Sequence, residues 1–133
     1  MYKLISFVRE LRRIGAFKVS TRLLLVFLMV LGLWVATMPL SDYALPKVND
    51  KLVHLIVFFC FALLTDLTTA RKPFWLWKGI PLLCYGALIE ILQNFTEYRS
   101  FELADLLADG VGIVLYYTVK YALRLSATRE VKT

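Results

Sequence analysis

The chain has 133 residues, 59% of them hydrophobic, with a mean hydropathy of +0.66, an apolar share well above the roughly 45–50% of soluble domains. These values exclude an ordinary soluble domain and read as one integral membrane domain. The net charge of +6 does not point to nucleic acid, because the basic residues gather in particular links between apolar runs, where they set topology.

The first segment, residues 1–22, is basic. Leu4, Ile5, Val8, Leu11 and Ile14 fall near helical spacing among Lys3, Arg9, Arg12, Arg13 and Lys18. Two readings stand side by side: a short amphipathic helix on an anionic cytoplasmic surface, and a basic topogenic tail.

Residues 23–40 carry no charge, close to the roughly 20 apolar residues that cross a bilayer as a helix, and Pro39 ends the run. The run is too long for a signal peptide core, and no convincing cleavage site follows. Residues 41–51 are polar and read as a loop. The second run, 52–70, contains His54 and Asp66 and is closed by Arg71-Lys72-Pro73, with Trp75, Trp77 and Lys78 as interfacial anchors. The third, 79–96, has Pro81 in its first turn, where the missing N–H costs little, and Glu90 and Gln93 in its later half. After a short polar link, 97–102, the fourth run covers 103–123 and carries Asp105, Asp109, Gly110 and Gly112. Residues 124–133 form a short tail. Cys60 and Cys84 lie inside apolar runs, where a free thiol behaves as a small hydrophobe.

Thirteen Lys and Arg fall in the N-terminal segment, the 71–78 link and the stretch from Lys120 onward, against Lys47, Lys51 and Arg99 in the opposite links. By the positive-inside rule both termini are cytoplasmic. The fold expected is all-α: a compact bundle of four transmembrane helices spanning residues 23–123, with short links joining antiparallel neighbours.

The polar residues inside the runs converge. At 1.5 Å per residue His54 lies about 6 Å in from Asp50, and Glu90 and Asp109 each about 10 Å in from the outer ends of their helices. Asp50 and His54 are four apart, Glu90 and Gln93 three, Asp105 and Asp109 four, so each pair shares a helix face. Facing lipid, each ionised group would cost about 2.5–3.5 kcal/mol even on the lenient insertion scale. The stripes are therefore expected to face one another around one extracytoplasmic polar pocket. Four carboxylates there, Asp50, Glu90, Asp105 and Asp109, outnumber the fixed cations Lys51 and Arg99, which leaves room for a shared proton or a bound cation.

The ordered set Asp50-Lys51-x-x-His54 with Phe58, then Glu90-x-x-Gln93, then Arg99-Ser100-Phe101 with Asp105, Asp109 and Gly112 resembles the signature of the VanZ-like family of small bacterial membrane proteins. The resemblance covers residues 50–115. Its namesake is associated with low-level teicoplanin resistance, so the resemblance implies a multi-pass protein of the bacterial cytoplasmic membrane acting at the cell envelope.

Asp50, His54, Glu90, Asp105 and Asp109 are the candidates for proton handling on an envelope lipid or amphipathic molecule. Lys51 and Arg99 are candidates for anion binding, and Gln93 and Ser100 for orientation. The structural alternative is interhelical hydrogen-bond glue, worth about 0.6 kcal/mol per contact, with Arg99 paired to Glu97 or Glu102. The ligand types would suit a divalent ion, but no metal motif is present, and no metal or cofactor is assigned. A small transporter or ion-coupled subunit and a structural or partner-binding subunit are the competing functions. Asp66 is expected to pair with Arg71 or reach the interface, Gly110 and Gly112 to permit close packing, and Tyr116, Tyr117 and Tyr121 to form an inner aromatic belt. Asn94-Phe95-Thr96 matches a glycosylation sequon, read as a false positive.

Overall fold

The computed structural model describes residues 2–38, 49–96 and 101–130. Helix α1 is Tyr2–Leu11, α2 Gly15–Thr37, α3 Asp50–Thr68 and α5 Leu103–Glu130. Helix α4, Ile80–Asn94, is preceded by a wider turn over Trp75–Gly79. The described residues are helical with no strand, and four helices are long and apolar enough to cross a membrane.

The N-terminal segment is helical through Leu11, then breaks. Arg13 and Ile14 donate their N–H groups to Glu10 and Leu11 at 2.9 and 3.0 Å, the tight three-residue closure that ends a helix. Residues 15–22 then belong to the spanning helix, not to the basic segment, because nothing between Gly15 and Leu23 interrupts helical hydrogen bonding. Helix α2 has 23 residues, about 34 Å at the helical rise. It stops at Thr37, short of the expected residue 40, and the predicted 41–51 loop lies mostly outside the described residues. Its last residues correct the reading: α3 starts at Asp50, so Lys51 is helical.

The wide turn ahead of α4 has a local cause. Pro81 has no N–H to give Trp77, and Ile80 reaches back to the Trp75 carbonyl instead. At the other end of the chain α5 runs to Glu130, so the segment expected as a tail from Arg124 is helical through that residue.

The core forms where α3 lies along α5: Phe58, Phe61, Ala62, Ile113 and Tyr116 are buried, with Leu82 and Ile89 of α4 against them. Phe58 meets Phe61 edge-on at 5.6 Å and Phe59 meets Tyr116 edge-on at 5.7 Å, geometries that add to plain area burial. Helix α2 crosses α3 and α4 and buries only Thr21 among its residues; Leu23, Phe27, Val30 and Trp34 all point outward, the surface expected toward lipid. Contacts fix an up-down-up-down course. The end of α3, the wide turn leading into α4 and the later half of α5 meet Arg12 at one end. The start of α3, the end of α4 and the start of α5 meet at the other.

Close packing of α3 on α5 depends on Gly112. A Cβ there would strike the Leu55 carbonyl and come within 3.0 Å of the Phe59 nitrogen, and backbone cannot swing aside as a side chain can. Gly112→Ala is expected to cost about 1–3 kcal/mol as overpacking. At Gly110 the nearest atom to such a Cβ is the Leu83 side chain at 3.6 Å, so Gly110→Ala is expected to be near neutral. Unfolding midpoints of the two variants in detergent check the contrast.

Candidate functional site

The end of the bundle away from Arg12 collects the residues singled out by spacing. Glu90 and Asp109 have no exposed surface, and Gln93, Asp105 and His54 are buried. The His54 Nδ1–H donates to Asp109 Oδ1 at 2.8 Å. With Asp109 ionised, the carboxylate can only accept, so Nδ1 carries the shared proton and Nε2 is the nitrogen outside that bond. Phe58, one turn further along α3, lies parallel to the imidazole with ring centroids 6.5 Å apart. Gly86 of α4 makes the room for Asp109: a Cβ at Gly86 would collide with its carboxylate and approach the Phe58 ring to 3.2 Å. Sequence reading missed Gly86, and nothing in a single apolar run marks such a glycine.

Glu90 has two faces. Its Oε2 accepts the backbone N–H of Glu102 at 3.0 Å, just ahead of α5, where orphan N–H groups and the helix dipole favour a negative charge. Its Oε1 is buried without a hydrogen-bond partner, as are Asp105 Oδ1 and Asp109 Oδ2. Lys51 Nζ donates to Glu102 Oε2 at 2.8 Å and stands 3.4 Å from Asp105 Oδ1. Its side chain is 47% exposed, so these contacts carry little stability and the ammonium stands at the rim. Gln93 donates to the Ala36 carbonyl near the end of α2 at 3.3 Å. Its amide therefore closes a helix terminus. Asp50, one turn before His54, is partly buried. Arg99 and Ser100, the remaining ligand-binding expectations, lie outside the described residues.

His54, Glu90 and Asp105 each present a donor atom, all within 4.8 Å of one another. One imidazole nitrogen and two carboxylate oxygens are a donor set for a divalent ion, and a His whose other nitrogen is held by a carboxylate is the usual oriented ligand. The same groups equally form an acid-base centre, with His54 oriented by Asp109 and buried carboxylates beside it.

The end at Arg12 corrects the sequence reading. Asp66 was expected near Arg71 or the interface, and is instead buried and bound by groups from distant parts of the chain. Arg12 donates to its backbone carbonyl and to Oδ2, the latter at 2.8 Å. Lys120 donates to Oδ1 at 2.6 Å, Lys78 donates to the same oxygen, and the Tyr116 hydroxyl donates to Oδ2 at 2.9 Å. Lys78, expected as an interfacial anchor, is buried, and Tyr116 is a core residue rather than part of a belt. The four-residue spacing of Tyr116 and Lys120 on α5 was the signal available for this cluster.

Between the two ends α3 carries the buried residues Phe58, Phe61 and Ala62. His54 and Asp66 are 12 residues apart, about 18 Å along the helix, so the polar groups form two separate clusters.

No family model matches the chain, and no solved structure matches it significantly. Among curated proteins it is similar to an uncharacterized protein of Schizosaccharomyces pombe, 33% identical over 99 residues. That alignment covers 65% of this chain and 59% of the relative, so the chain spans about three fifths of the relative's own length.

Proposed function

We propose that this protein is a small multi-pass membrane protein whose outer polar cluster binds, and handles protons on, an amphipathic membrane lipid. One observation carries the reading: the buried carboxylates Glu90 and Asp109 each keep an oxygen without a hydrogen-bond partner, and Asp105 Oδ1 meets only the Lys51 ammonium, at 3.4 Å. Interhelical glue consists of satisfied bonds, whereas unpaired buried acceptors within a membrane span are costly and mark sites of function. His54, held by Asp109, is the base; Glu90 and Asp105 are the proton-exchanging carboxylates, and Lys51 at the rim meets an anionic headgroup.

The distribution of Lys and Arg supports an orientation with both termini and the Asp66 cluster cytoplasmic and the carboxylate cluster on the opposite side. The resemblance to the VanZ-like family supports a setting at the bacterial cell envelope and extends the proposal to a part in glycopeptide resistance. The fission yeast relative favours, within that proposal, a lipid common to many membranes over a molecule confined to bacterial walls. The apolar stretch between the clusters favours a one-sided site over a transport path.

Mass spectrometry of lipids retained by the purified protein tests the proposal. Wild type is expected to hold a lipid class that Glu90→Gln loses; identical lipid content in both would contradict it. The triad of donors favours a second reading, in which a divalent ion completes the site. Manganese or zinc is then expected to raise the unfolding midpoint of wild type, by about 2.7 kcal/mol at a hundredfold excess over its dissociation constant, and to leave His54→Gln unchanged. An equal response in both proteins would contradict this reading.

A further inference from the structure

The inner end of the bundle holds a cavity of about 370 Å³, bounded by Arg12 just after α1, the link after α3, the wide turn before α4 and the later half of α5. Its walls carry Arg12, Arg71, Lys72, Lys78, Lys120 and Arg124 against a single carboxylate, Asp66. At about 30 Å³ per water in the liquid, it has room for a phosphate group together with its ester and several waters.

Topology alone does not account for this arrangement. Positive-inside cations are ordinarily solvated in loops, yet Lys78 is only 3% exposed, and three cations, Arg12, Lys78 and Lys120, all bond one carboxylate. Both ammonium groups also lie over the Phe74 ring, at 5.7 and 5.5 Å from its centroid, an apolar support that fixes them without neutralising them. Positive charge is therefore left over around a partly desolvated space. The Nε of Arg12 is buried with no hydrogen-bond partner, although one of its terminal nitrogens is engaged by Asp66. An unpaired guanidinium donor beside surplus ammonium groups is a setting for a multiply charged oxyanion.

We propose that this cavity binds a phosphate-bearing anion, with Arg12, Lys78 and Lys120 as its inner contacts and Lys72 and Arg124 at its mouth. The site is independent of the carboxylate cluster at the other end. Its position between the amphipathic α1 and the ends of the spanning helices suits the phosphate of an anionic lipid headgroup, and a soluble phosphate ester offers the same chemistry.

The test is thermal unfolding of the full chain with inorganic phosphate in detergent, sodium chloride matching the ionic strength, and with phosphatidic acid in phosphatidylcholine nanodiscs. Either probe is expected to raise the midpoint, with affinity at least tenfold weaker in Lys72→Gln/Arg124→Gln, whose exposed side chains leave the bonds to Asp66 intact. A response to inorganic phosphate identifies a soluble ligand as sufficient; a response to phosphatidic acid alone identifies a headgroup. Arg12→Lys keeps the charge and loses the Nε donor, and is also expected to bind at least tenfold more weakly. The single variants Lys72→Gln and Arg124→Gln replace the double variant if its unliganded midpoint falls. No stabilisation beyond that of chloride, or unchanged affinity in these variants, would overturn the proposal.

Discussion

Asp66→Ala is expected to destabilise the bundle by about 3–5 kcal/mol, the scale for removing one partner from a buried ion pair. The substitution strands Arg12, Lys78 and Lys120 and takes the acceptor from the Tyr116 hydroxyl. Those groups come from the segment before α2, the wide turn before α4 and the later half of α5, so one carboxylate ties together three otherwise separate parts of the chain. Asp66→Asn retains an acceptor for Tyr116 but not the charge, and is expected to fall between wild type and Asp66→Ala. Reversible denaturation in mixed detergent micelles measures both. A loss below about 1 kcal/mol for Asp66→Ala, the range of an exposed pair, would contradict its role as anchor.

At the other end His54→Ala is expected to cost about 3 kcal/mol, because the buried Asp109 carboxylate then loses its bonded partner. Asp109 has no exposed surface and Gly86 brings α4 against it, so water has little access to replace the imidazole. Replacing both residues with leucine removes the stranded charge and is expected to recover much of the loss. Across the double-mutant cycle the coupling energy is expected to be about 0.5–3 kcal/mol. Additive losses would mean that His54 and Asp109 do not act on each other.

The two clusters differ in how far the sequence revealed them. Asp50, His54, Glu90, Gln93, Asp105 and Asp109 recur at helical spacing inside apolar runs, and the cost of facing lipid forces such stripes together. That reasoning gathers the stripes around one pocket, while the pairing of His54 with Asp109 is seen only in the structure. It does not see that Gln93 serves the end of α2, since which carbonyl an amide meets depends on how α2 crosses α4. The partners of Asp66 were missed for a related reason, with only the four-residue spacing of Tyr116 and Lys120 as a signal. Arg71 is its near neighbour in sequence, while of its actual partners Lys78 lies 12 positions away and Arg12, Tyr116 and Lys120 lie 50 or more.

The four spans were legible because each apolar run is about as long as a bilayer requires. Their limits were not. Charge was taken to end a helix at Arg22 and Arg124, but Lys and Arg are good helix formers, so α2 begins at Gly15 and α5 continues to Glu130. Backbone signals bound α2 instead: the closure at Arg13 and Ile14 before it and Pro39 after it in sequence.

The central claim, that the outer carboxylates form a ligand site and not architecture, is tested most directly by unfolding midpoints of wild type, Glu90→Gln and Asp109→Asn in detergent. Each is measured with and without extracted membrane lipids. Both substitutions keep an acceptor oxygen and remove a buried charge, so the account predicts midpoints equal to or above wild type, a lipid-induced rise in wild type, and no such rise in either variant. Lower midpoints in both variants, with no lipid shifting the wild type, would contradict it and leave the cluster as helix-packing structure.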